Sequence, residues 1–95
     1  MAALVISYDL NREGSNYAAR DKAVIEKIKS LSPTWWHGQD STWLIVTNAA
    51  ALNVANAIWA IMGAKDNLLV APLAPGGAYA GFTGDAQTWL KDNLP

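Results

Sequence analysis

Asp9 closes the run 3–9, Ala-Leu-Val-Ile-Ser-Tyr-Asp, in which β-branched and aromatic residues dominate. A carboxylate at the end of a central strand is costly to bury without a partner. Two chemistries answer that cost. Asp9 is a metal ligand or general base, or it accepts backbone N–H bonds where the next loop begins. His37 is the single histidine. Its ring titrates near neutrality and suits proton transfer; a strand histidine bonded to backbone or solvent is the simpler account. Trp35, Trp36 and Trp43 fall close together. Indoles are stacking platforms for unpaired bases, but no basic residues interleave with these three, which favours a dimer contact. The glycines of 76–84 are too scattered for a phosphate loop.

The elements that must position these residues follow from periodicity. The run 3–9 is apolar on both faces, which predicts a central strand. Residues 10–14 form a loop, and Ser15 or Asn16 can cap the next helix. Tyr17, Val24, Ile25, Ile28 and Leu31 recur at helical spacing, which predicts a helix over 16–31 that Pro33 ends. Trp-Trp-His belongs to a strand at 34–38, and a short polar connection leads into a third strand at 41–47, an antiparallel hairpin. Consecutive Trp35 and Trp36 must point to opposite faces of the sheet.

Residues 49–63 carry two adjacent apolar stripes of a helix, wider than a small sheet needs, with Gly63 as a left-handed stop. A fourth strand spans 68–73. The order β-α-β-β-α-β predicts an α+β ferredoxin-like sandwich, a four-stranded antiparallel sheet with two helices on one face. The core covers 1–73. The extension 74–95 adds an edge strand at 78–82, able to pair with a neighbouring subunit, and a short final helix with Asp85 as its cap.

Composition narrows the function classes. A chain of 95 residues is one domain. Only 16% of its residues are charged, against about 25% in an ordinary soluble domain, and a surface so poor in charge marks a partner interface. The net charge of -1 gives no basic field for bulk capture of nucleic acid. With no cysteine, disulfides, thiolate metal sites and cysteine nucleophiles are excluded. The stretch 41–64 is long enough to span a bilayer, but Thr47, Asn48, Asn53 and Asn56 interrupt it, and a strand plus a buried helix is the better reading. The N-terminus has no basic segment and reaches Asp9 too early for a signal peptide, so a cytoplasmic protein with no membrane partner is expected.

Tyr-Asp-Leu-Asn at 8–11, Trp-Trp-His at 35–37, Gln-Asp-Ser-Thr-Trp at 39–43 and Asp66 ahead of the fourth strand form a pattern. In order and spacing it resembles the small CRISPR-associated endonuclease-like family, to which VapD-type ribonucleases are related. The likeness spans roughly 3–73 and is closest to the SinR-like side branch. Tyr8, Asp9, Gln39, Ser41, Trp43 and Asp66 occupy the family's positions. The resemblance implies a homodimer in which Asp9 of each subunit faces its counterpart and holds Mg²⁺, an ion that prefers oxygen ligands and retains waters. It further implies metal-assisted phosphodiester hydrolysis of RNA or DNA. Asp9 and Ser41 would be the catalytic residues. Tyr8, Asn11, Arg12 and Trp43 would bind or shape the substrate site. The chain departs from the family in having only Arg12 and Arg20 near the first helix. The competing expectation on the same fold is a non-catalytic dimeric scaffold or a nucleic-acid- or nucleotide-binding module.

Overall fold

The computed structural model describes residues 2–12 and 16–95. The elements run β1 (Ala2–Asp9), α1 (Tyr17–Leu31), β2 (Trp35–Gln39), β3 (Thr42–Thr47), α2 (Ala51–Trp59), β4 (Asn67–Pro72) and α3 (Gly84–Asn93). The sheet order is β2-β3-β1-β4, and every neighbouring pair is antiparallel. This is the ferredoxin-like arrangement. β1 is central, as its two-sided apolar character requires. Among the described residues, no helix is long and apolar enough to cross a membrane.

Alternation along β1 decides which residues meet the helices. Leu4, Ile6, Tyr8 and Leu10 are all buried on the side of α1 and α2. There they join Trp43 and Ile45 of β3, Val24 and Ile28 of α1, and Val54 and Ile58 of α2. The intervening residues Val5 and Ser7 face the other side, opposite Leu44 and Thr42. That second face holds a smaller core of Trp36, Leu44 and Leu90, with Phe82 and Trp89 packed against it. Trp35 and Trp36 thus take opposite faces. Trp36 is not held for a partner subunit: α3 of its own chain covers it, and its Nε1 donates to the Ala86 carbonyl at 3.1 Å.

β2 carries an irregularity in its pairing with β3. Trp36 pairs with Leu44 but Gln39 pairs with Thr42, so β2 has one extra residue between them. Such a bulge flips the following side chain across the sheet. Without it Gln39 would share the face of Trp35 and His37. With it Gln39 joins Trp36 on the second face. The Trp36 indole lies across Gly38, where a Cβ would collide with the ring.

Several expected details differ. No strand forms at 78–82; Gly81 adopts a φ of +84° and breaks extended backbone there, and Gly76, with a φ of +105°, turns the chain ahead of it. α2 ends at Trp59 rather than 63, because its last turn tightens through Ile61 N–H to the Ile58 carbonyl and Met62 N–H to the Trp59 carbonyl. Gly63 has no left-handed conformation. Its role is close approach, with an added Cβ falling 3.2 Å from Asp66 Oδ2. Asp85 lies in the first turn of α3, and Thr83 takes the capping position without a side-chain bond. Ser15 lies outside the described residues, while Asn16 holds the cap position of α1 without a side-chain bond.

Candidate functional site

At one end of the sheet, a pocket of about 210 Å³ opens between the start of α1, the end of β1 and the β2–β3 hairpin. Four of the expected site residues line it: Tyr8, Asp9, Arg12 and Ser41. They come together because the Ser41 carbonyl accepts the Tyr8 backbone N–H at 3.1 Å, closing the hairpin against the strand end. Asp21, His37 and Asp40 complete its polar wall.

The two residues at the end of β1 have opposite environments. Tyr8 is buried, and its hydroxyl donates to Asp21 Oδ1 at 3.1 Å. Burial, and then the adjacent Asp21 carboxylate, push its pKa up to about 12. Tyr8 is therefore a neutral hydrogen-bond donor, not a base. Asp9 follows it in the alternation and is exposed. It engages no described residue through a side-chain hydrogen bond or ion pair. Across the strand it faces Asn67.

Trp43 is not among the residues that line the pocket. Alternation sets it opposite Ile6 on the helix side, and it is fully buried. It shapes the pocket from beneath. The His37 ring stacks on its indole with 3.8 Å between centroids and 11° between planes. His37 Nε2 lies 2.8 Å from the Asp40 carbonyl. A carbonyl only accepts, so this bond places a proton on Nε2. The ring is held by two contacts although the residue is exposed. Trp43 Nε1 is itself buried without an acceptor in hydrogen-bonding geometry among the described residues.

Arg12 lies over the Tyr17 ring, 4.9 Å from its centroid. That stacking keeps a positive charge at the pocket rim. Asn11 stands apart from the pocket lining. Its backbone N–H donates to Asp66 Oδ1 at 2.7 Å and its carbonyl accepts from Arg20 Nη1 at 3.0 Å.

Asp66 is the strongest polar centre among the described residues, and it is structural. Its side chain is wholly buried. It accepts from Arg20 Nη2 at 2.6 and 2.5 Å, from Asn11 N–H, and from Gly63 N–H at 2.6 Å. The Arg20 bond acts first, working against the cost of burial, and the two backbone N–H groups add to it. Together they hold the Asp66 pKa down at about 2. This latch ties the loop after β1 to α1 and to the α2–β4 turn. It fixes the backbone from which Asp9 and Arg12 project. Sequence reading placed Asp66 in the pattern but did not pair it with Arg20, 46 residues away. The available signal was an aspartate three residues after Gly63, with an arginine in the first turn of α1. Asp21 and Asp40 were likewise missed.

No family model matches the chain, and no curated protein matches it.

Proposed function

We propose that the chain works as a homodimer of the small CRISPR-associated endonuclease-like class, hydrolysing phosphodiester bonds of nucleic acid in the cytoplasm at a site centred on Asp9. One observation carries this reading. Asp9 stands exposed and unengaged at the end of the central strand, on the part of the second sheet face that α3 leaves open. Leu69, 62% exposed, lies on the same open part. A second copy seated there would cover Leu69 and bring two Asp9 carboxylates near each other. The ferredoxin-like strand order supports the family reading in the same way.

The donor set bears on the ion. Among the described residues, no three of His, Cys, Asp or Glu gather to hold a metal. One copy therefore offers Asp9 alone. Two copies offer two carboxylates with room for waters, a set that suits Mg²⁺. Bound there, the ion would supply Lewis acidity toward a phosphoryl oxygen and a lowered pKa for water. The chain's own residues do the rest. Asp9 holds the ion. Ser41, exposed at the pocket mouth, donates its hydroxyl to a phosphate oxygen. Arg12 sets a positive charge opposite the phosphate. Tyr8 stays protonated and anchors the strand end to α1.

A second reading has its own observation. α2 bears no charged residue and leaves Leu52, 70% exposed, and Trp59 on the surface. Such a patch fits a non-catalytic dimeric scaffold or a binding module for nucleic acid or nucleotides.

The deciding experiment is cleavage of labelled single- and double-stranded RNA and DNA with Mg²⁺, Mn²⁺ or EDTA. Wild type is compared with Asp9→Ala. Metal-dependent cleavage that falls at least ~100-fold in the variant is the expected result, the size seen when a transition-state contact is removed. No cleavage, or equal cleavage by both proteins, rejects the enzyme and leaves the scaffold reading.

A further inference from the structure

A second cavity, larger than the pocket at Asp9, lies elsewhere on the sheet. It measures about 430 Å³ and lies over the second sheet face, between β2 and β3 below and the segment 74–83 with α3 above. We propose that this cavity is a binding site for a small, uncharged, planar aromatic molecule.

Four features of the cavity lead there. Its volume falls within the range of pockets that enclose small organic ligands. None of its lining residues carries a charge, so the site offers an ion no oppositely charged partner. Its walls include three rings, Trp36, Tyr79 and Phe82, with Leu44, Leu90 and Leu94 around them. Trp36 and Phe82 already meet edge to face, with 5.1 Å between centroids and 79° between planes. That geometry presents ring edges and faces to a third aromatic ring. The polar groups are few. Gln39 supplies an amide, able both to donate and to accept, and Tyr79 a hydroxyl. Gln39 is there only because the β2 bulge turns it to this face. A ligand that satisfied the site would therefore be flat, neutral and able to make one or two hydrogen bonds at its rim.

The roof supports a ligand rather than a peptide. A bound strand would need a free sheet edge, whereas this cavity lies over a sheet face. The roofing segment has no helix or strand of its own and turns at Gly76 and Gly81, both with positive φ. Those two turns carry 77–80 across the sheet as a strap. Trp36 and Leu44 beneath it belong to a core separate from the one under α1 and α2. The strap can therefore adjust to a ligand without disturbing the main core.

The test uses the full chain and Nile red, a neutral planar aromatic dye, followed by its fluorescence and by quenching of tryptophan emission. Ala78→Trp and, separately, Ala80→Trp place an indole from the strap into the cavity. Trp59→Ala on α2 controls for adsorption to exposed apolar surface. Saturable binding at one dye per chain is expected. Each filling variant should weaken it at least about tenfold, while the α2 variant leaves it unchanged. The negatively charged dye anilinonaphthalenesulfonate should bind more weakly than Nile red. No saturable binding by the wild type overturns the proposal. So does binding untouched by both filling variants while they keep the wild-type circular dichroism. Loss in Trp59→Ala also overturns it, by placing the dye on α2. Binding that vanishes as the chain is concentrated and self-associates overturns it as well, since a second copy would then be the occupant. None of these outcomes depends on cleavage at Asp9.

Discussion

On the side of the sheet facing α1 and α2, β1 sets Leu4, Ile6 and Tyr8, with Leu10 just past its end, into one continuous buried layer. On the other side, the neighbouring positions Val5 and Ser7 are only half-buried, and a single short helix covers the β2–β3 half. The first face is closed by two helices whose connections are part of the fold's topology. The second is closed by an extension that reaches it across an irregular strap. The difference separates tasks. The first face supplies most of the stability, and the second carries the uncharged cavity and, at the end of β1, the exposed Asp9.

Truncating one anchor on each face puts that contrast to its most severe test. Trp43→Ala removes the largest fully buried side chain and should cost about 4 kcal/mol. The melting temperature would fall by more than about 15 °C. Leu90→Ala in the second core should cost about 2 kcal/mol, the low end for such a truncation, because the strap lets α3 shift. Hydrogen exchange separates the two. In Leu90→Ala the amides of α3 should exchange faster while those of β1 keep their protection. Equal loss of protection in β1 and α3 would show one cooperative core and end the contrast.

Much of the first face was legible in the sequence, for physical reasons. A two-sided apolar strand, a helix with period-3.6 spacing ended by Pro33, and a charge-free helix each obey a local rule. Together they yield the β-α-β-β-α-β order. The second face was harder to read because its closure is not local. Nothing within 84–94 says that Leu90 and the Ala86 carbonyl meet Trp36, 50 residues away. The strand expected at 78–82 does not form, and Gly81 within it takes a positive φ. At the candidate site, Tyr8, Asp9 and Ser41 lie together because a strand end and a hairpin must be neighbours when β1 pairs with β3, and Arg12 joins them from the loop after β1. Trp43, given its place by the family resemblance alone, lies opposite Ile6 in the core and meets the pocket only through the His37 ring stacked on it.

The next largest effect lies at the latch behind the candidate site. Asp66→Ala leaves the Asn11 and Gly63 N–H groups and the Arg20 guanidinium without their shared acceptor. It should cost about 3 kcal/mol. Asp66→Asn, which keeps an acceptor oxygen, should cost less. The same latch has a pH signature. The Asp66 pKa falls from its ordinary 3.8 to about 2 in the folded protein. Between those values the unfolded chain binds a proton that the folded chain refuses. Stability from this group is therefore complete above about pH 4 and is lost as the pH drops toward 2. Acid unfolding followed by circular dichroism should be steeper over that window in wild type than in Asp66→Asn. Identical slopes would mean that the latch is not formed in solution.

Tyr8→Phe is the smallest and the most specific of these changes. It removes one hydroxyl, the donor to Asp21, and leaves the ring in the core. The cost at neutral pH should be about 1 kcal/mol, the net worth of one hydrogen bond. The dependence on pH runs opposite to that of Asp66, with stability lost as the pH rises. Tyr8 ionises at about 12 in the folded protein, against an ordinary value of 10.0. Between those values the unfolded chain gives up a proton that the folded chain keeps, so rising pH favours unfolding. The phenylalanine variant has no proton to lose at this position. The gap between wild type and variant should therefore narrow from about pH 10 upward, read as converging urea midpoints. A constant gap up to about pH 12 would place the Tyr8 hydroxyl in water rather than against Asp21. The pocket wall beside Asp9 would then be open at the end where it is taken to be closed.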